Sequence, residues 1–180
     1  MSETRKKFIA SIAQSCIDST SGTNLFPSVM IAQACLEGRD GQSLLASKHN
    51  NHFGIKKSSG WFGAFVLMKT KEFISGKWIS VDAPFRVYSS LIEGFKDRVG
   101  FLQKNSRYAK AGVFTAATPE LQVKALVKAG YATDDKYYTL VTGIISGYGL
   151  KQYDALKKKV LLHNTLVRDA FTYFKLVLQW

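Results

Sequence analysis

Residues 29–37 read VMIAQACLE, and the way this stretch ends decides how the rest of the chain is read. Val29, Met30, Ile31, Ala32, Ala34, Cys35 and Leu36 leave almost no polar face at helical spacing, so the segment predicts a helix buried nearly all round. Pro27 suits a first helical position and sets its start. The helix finishes on Glu37, followed by Gly38-Arg39-Asp40-Gly41. A helix C-terminus carries about half a negative charge and favours Lys or Arg, so an acid there points to a purpose other than helix stability.

Working outward, Phe8, Ile9, Ile12, Ala13, Cys16 and Ile17 predict an amphipathic helix over residues 4–18. One further turn is expected from Ser43 to Ala46, before the polar run KHNNHFGIKK. Residues 64–88 change character: AFVLMKTKEF and KWISV are strand-like, joined by Ile74-Ser75-Gly76, with Pro84 closing the second. Helices resume with a capping box, Ser90 and Glu93, ahead of Leu91, Phe95, Val99 and Leu102, then at Thr118-Pro119-Glu120. A last regular helix carries Tyr137, Leu140, Val141, Ile144 and Ile145 and stops near Gly147 and Gly149. The expectation is an α+β, mainly helical domain over residues 1–154, its hairpin lobe facing a helical lobe across a groove. Residues 155–180 read as an appended C-terminal helix whose Val160, Leu161, Leu166, Val167, Phe171, Phe174 and Leu178 need cover, expected first from packing on that domain, with pairing to another chain or contact with a membrane as the alternatives.

The chain has 180 residues, enough for one sizeable core, and a net charge of +12 that draws it towards a polyanion: nucleic acid, anionic lipid or an acidic wall polymer. Cys16 and Cys35 both fall in buried helices, where free thiols are expected. Ser11, Gln14 and Ser15 break the N-terminal apolar stretch too early for a signal-peptide core, and no run of apolar residues is long enough to span a bilayer. The chain is therefore expected to be made in the cytoplasm. His49, His52 and His163 lack metal-ligand spacing and read as loop histidines, with no metal expected.

A carboxyl at the C-end of an apolar helix loses water and feels the helix dipole, and both raise its pKa until it can donate a proton. Cleavage of glycosidic bonds uses such a group at the leaving oxygen, with a second carboxylate or a substrate group at the anomeric carbon. On position alone a capping or ion-paired surface Glu fits equally well. Glu72 alone reads as an exposed strand residue paired with Lys71 or Lys77.

Four stretches in order, AQACLEGRDGQS (32–43), NNHFGIK (50–56), TKEFISGKW (70–78) with FRVY (85–88), and AGYATDDKY (129–137), resemble glycoside hydrolase family 73, peptidoglycan-cleaving N-acetylglucosaminidases of lysozyme-like fold. The resemblance covers residues 6–154. It implies Glu37 as general acid, Glu72 on the hairpin as second carboxylate and Tyr131 as a positioning or transition-state residue. It further implies Asn51, Phe53, Gly54, Trp78 and Tyr137 as substrate-binding residues, peptidoglycan glycan strands as substrate, and no cofactor. Nucleic acid is then not expected as a partner, while the basic charge suits anionic wall polymer or a membrane surface. Gly38, Arg39 and Asp40 depart from the family's Ser, Gly and Trp, removing an aromatic platform there, and His52 replaces a commonly apolar residue. Asp40 could raise the Glu37 pKa or Arg39 lower it. Phe53, Trp61, Phe62, Trp78 and Tyr88 are available to stack on sugars, most of them expected in the core. Action on the wall or in the periplasm then requires delivery by phage lysis, a secretion apparatus or a virion.

Overall fold

A computed structural model describes residues 2–74, 77–132 and 134–177; the side chains of 71–74, 78, 164 and 167–177 lie outside the described set. Helix α1 (Glu3–Thr20) starts on Ser2, whose hydroxyl accepts from the Arg5 amide, and α2 (Pro27–Glu37) starts on Pro27 and ends on Glu37 as the sequence predicts. Every side chain from Val29 to Cys35 is buried, Gln33 included, so α2 is the axis of the helical body. Helices α1, α6 (Pro119–Lys128), α7 (Tyr137–Gly147) and α8 (Lys151–Val177) pack around it, and α4 (Leu91–Lys104) packs on α1. Cys16 and Cys35 are free and buried in this core, where burial raises both thiols, Cys35 to about 12.

The short α3 (Leu44–His49) is capped by the Ser43 hydroxyl and ends at Asn50 in the left-handed region. Strands β1 (Phe65–Ile74) and β2 (Lys77–Arg86) form a two-stranded antiparallel ribbon, with Phe65 opposite Arg86 and Ile74 opposite Lys77. Strand β2 continues two residues beyond Pro84, which was expected to close it. A two-stranded ribbon is all edge, so a missing N–H costs no ladder bond when it faces outward. The Pro84 carbonyl instead accepts from Lys57 at 2.8 Å, and Ile55 accepts from Arg86 at 3.0 Å, tying the 53–58 loop to the ribbon's base.

Ser90 accepts from the Glu93 amide, but the Glu93 carboxylate bonds the amide and hydroxyl of Ser89, one residue earlier than a capping box requires. The five-residue α5 (Ser106–Lys110) was not expected; its only buried side chain is Tyr108. Helix α8 begins at Lys151, so the boundary expected between 154 and 155 falls inside one helix. Its first turns are pinned to the start of α2 and the loop before it: the Asp154 carboxylate accepts from the Ser28 amide and hydroxyl at 2.9 and 2.7 Å, and Lys157 donates to the Thr23 and Leu25 carbonyls at 2.7 Å each. Further along, Leu162 and Leu166 are 65% and 69% exposed. The side chains of Val167, Phe171 and Phe174, and Leu178 as a whole, lie outside the described residues. Among the described residues no helix is long and apolar enough to cross a membrane.

Candidate active site

Glu37 closes α2, and Gly38 turns the chain by donating to the Ala34 carbonyl at 3.0 Å. The rigid helix therefore aims the Glu37 side chain into a groove of about 390 Å³ whose lining includes Phe53, Gly54, Phe101, Tyr108 and Tyr131. The wall facing the helices is formed by the 53–58 loop at the base of the ribbon. The Glu37 side chain is open to the groove, yet the surrounding protein removes enough water to push its carboxyl pKa above the usual value. The Arg98 guanidinium opposes that rise without cancelling it.

Arg98 is the residue that sequence reasoning missed. It lies on α4, is 1% exposed, and donates from Nη2 to Gln33 Oε1 at 2.8 Å; Gln33 in turn donates to the Tyr137 hydroxyl at 2.6 Å. Its guanidinium sits 4.7 Å from the centre of the Tyr131 ring and 5.5 Å from that of Phe53. Nε and Nη1 have no hydrogen-bond acceptor among the described residues. A buried cation held by one amide oxygen and two aromatic faces, with no bonded carboxylate, is costly to keep for packing alone. Its charge reaches both groove residues: it opposes the effect of burial on Glu37 and on the Tyr131 phenol. A signal was present in the sequence, since Leu91, Phe95, Arg98 and Leu102 share one helical face and Arg98 interrupts an otherwise apolar stripe.

Of the residues expected at the site, Glu37, Phe53, Gly54 and Tyr131 come together in the groove. Tyr137 lies behind Tyr131, ring centres 5.7 Å apart, and is buried. Asn51 is also buried and its amide is committed to the loop, donating to the Ile55 and Arg86 carbonyls and accepting from the Ile55 amide, so it shapes the wall from within. Glu72 stands on β1 opposite Ile79. Its side chain, and that of Trp78, lie outside the described residues. Asp40 is claimed by Arg5 through bonds of 2.7 and 3.1 Å, and Arg39 is exposed on a left-handed turn. The Glu37 pKa is thus set by burial and Arg98, and neither of the neighbours considered from the sequence contributes. His52 lies in the loop as expected, but its ring is buried between Phe8 and Phe95, each 5.6 Å away.

A mainly helical body, a small antiparallel ribbon and a groove beside the carboxyl that ends the buried helix define a lysozyme-like glycoside hydrolase domain. The family described as mannosyl-glycoprotein endo-β-N-acetylglucosaminidase, or glucosaminidase, matches residues 12–150, and the chain belongs to it, as glycoside hydrolase family 73. The catalytic domain of the autolysin Auto from Listeria monocytogenes superposes with a TM-score of 0.75 at 36% identity, covering 86% of this chain and 89% of that one. The glycoside hydrolase domain of Salmonella typhimurium FlgJ, C-terminally truncated, gives 0.65 at 35% identity over 79% and 96%. In sequence, a probable N-acetylmuramidase of Lactococcus lactis is 40% identical over 82% of this chain and 34% of its own length. The peptidoglycan hydrolase FlgJ of Escherichia coli K12 is 41% identical over 65% and 38%. The chain spans little more than a third of the length of these curated relatives.

Proposed function

We propose that this domain is a peptidoglycan hydrolase that cleaves the β-1,4 bond between N-acetylglucosamine and N-acetylmuramic acid. The observation that carries the reading is the Glu37 carboxyl, raised by burial, at the end of a helix and in a groove shared with Tyr131. Glu37 gives its proton to the glycosidic oxygen as the bond from the anomeric carbon breaks, which leaves the alcohol as a neutral leaving group. A water oxygen then bonds to that carbon and gives up a proton, for which Glu72 is the acceptor. Tyr131, held in place by the Arg98 guanidinium, lines the groove and positions the reacting sugar. The likeness to the Auto and FlgJ hydrolase domains supports the substrate class. Its place of action is the cell wall, where the charge of +12 also favours anionic polymers.

The test is mass spectrometry of borohydride-reduced fragments released from purified peptidoglycan. Reduced N-acetylglucosamine at the new ends is the expected result. Reduced N-acetylmuramic acid would transfer the assignment to a muramidase, the activity in the Lactococcus relative's name. An absence of new ends, with the protein retained on the wall, would make the domain a binding module.

A further inference from the structure

We infer that Trp61 and Phe62, at the tip of the loop following the Glu37 groove, form a second glycan subsite that holds the strand beyond the bond being cut. This rests on the hydrolase reading above for its ligand. Phe62 is 97% exposed, the most exposed large apolar side chain described. It borders a concavity of about 420 Å³ lined by Lys57, Ser58, Ser59, Trp61, Phe62 and Pro84. Lys57 and Ser58 also line the groove that holds Glu37, so the two spaces adjoin along one wall. A polymer lying in the first is led into the second.

The loop is built to hold its shape. The Trp61 amide donates to the Ser58 carbonyl and its indole Nε1 to the Ala64 carbonyl, both at 3.0 Å. The Arg86 guanidinium stacks 4.6 Å from the Trp61 ring centre, and Tyr88 meets the ring edge-on at 5.7 Å. Arg86 is itself fixed by Asp97 at 2.8 and 2.9 Å and by the Ser58 hydroxyl at 3.2 Å, while the Tyr88 hydroxyl donates to Asp97 at 2.6 Å. Gly63 lets the chain cross close to the indole: a Cβ there would lie 2.5 Å from Trp61 Cζ2. With Trp61 held on several sides, the next side chain is presented to solvent with little freedom left to the backbone, which lowers the entropic cost of binding.

The chemistry suits a sugar. An exposed aromatic ring offers a face for the C–H surface of a pyranose, and the Ser58 and Ser59 hydroxyls supply hydrogen bonds to its substituents. The Lys57 ammonium is held 4.1 Å above the Phe65 ring, beside that space, where it can donate to an acetamido carbonyl. The occupant is a glycan strand because the space adjoins the groove in which the strand is cut and carries hydroxyl donors beside its apolar face.

The test is Phe62→Ala, whose side chain touches too little to alter folding. KM on long glycan strands should rise about three- to tenfold with kcat and melting temperature unchanged, the loss of one aromatic contact. KM on a tetrasaccharide, which has fewer sugars to place beyond the bond being cut, should rise less than KM on long strands. An unchanged KM on long strands overturns the subsite, and an equal rise on both substrates places Phe62 in the catalytic groove instead. Loss of binding to phosphatidylglycerol vesicles with an unchanged glycan KM overturns it in favour of a lipid surface. Cosedimentation with insoluble peptidoglycan, in a Glu37→Gln background with and without Phe62→Ala, reads the same affinity without turnover. If the wild type cuts no bond, the hydrolase reading fails while this arm still decides the subsite: weaker sedimentation sustains it, equal sedimentation overturns it.

Discussion

Acid should destabilise this domain through His52, and replacing His52 with Leu should remove that sensitivity. The ring is 6% exposed between Phe8 and Phe95, and its Nδ1 has no hydrogen-bond partner among the described residues. Burial lowers its pKa from the ordinary 6.5 to about 4. A histidine whose folded pKa lies below its unfolded one contributes fully above pH 6.5, and that contribution is lost as pH falls towards 4. The loss reaches about 2 kcal/mol by pH 5, which for a domain of this size is roughly 4–8 °C in melting temperature. His52→Leu keeps an apolar group of similar bulk between the two rings and has no proton to bind. Thermal melts followed by circular dichroism at pH 7.5 and pH 5.0 read the effect as the difference between proteins, which cancels the titration of all other groups. The wild type should lose roughly 4–8 °C more than the variant on acidification. Equal losses in the two proteins would refute the reasoning. The effect also bears on activity, since His52 Nδ1 would lie 3.3 Å from a Cβ on Gly38, the residue after Glu37.

Arg98→Gln should move the alkaline limb of the activity profile to higher pH, because removing a cation that opposes the rise in the Glu37 pKa leaves the acid protonated further up the scale. The same variant should lose rate on the order of tenfold as Tyr131 is released, while Arg98→Lys keeps the wild-type limb; an unshifted limb at full rate would count against any link to Glu37. Asp154→Ala removes two bonds to a carboxylate and leaves the buried Ser28 amide and hydroxyl unmet, a cost of about 3 kcal/mol, or roughly 6–12 °C by calorimetry. A change below about 2 °C would show that α8 is not anchored there.

The sequence carried the helices whose pattern is long and whose ends are marked. Pro27 and the apolar run up to Glu37 fixed α2 to the residue, because burial on every side leaves one reading of such a stretch. Helix α5 was lost because five residues with one buried tyrosine are too few to show a period. The start of α8 was placed late because Gly149, in the left-handed region, looks like the end of ordered structure, yet Leu150 is buried and the next helix begins at once. At the site, Glu37, Phe53, Gly54 and Tyr131 were legible through the family's motifs. Asn51 has the chemistry of a sugar ligand, but its turn needs that amide for three bonds of its own. Arg98 was overlooked because a charged residue is read as facing water by default, and only tertiary packing against Gln33, Phe53 and Tyr131 turns it inward.

The central claim is that Glu37 is the proton donor, and Glu37→Gln tests it most directly. The measurement is the initial rate at which new reducing ends appear in purified peptidoglycan, with the fold of each protein verified by circular dichroism. An amide of the same size has no proton to give to the leaving oxygen, so a folded variant should fall by about a hundredfold or more. Because the wild-type carboxyl is partly stripped of water, the variant should melt no lower than the wild type at neutral pH. A folded Glu37→Gln protein that generates reducing ends at close to the wild-type rate would contradict the account.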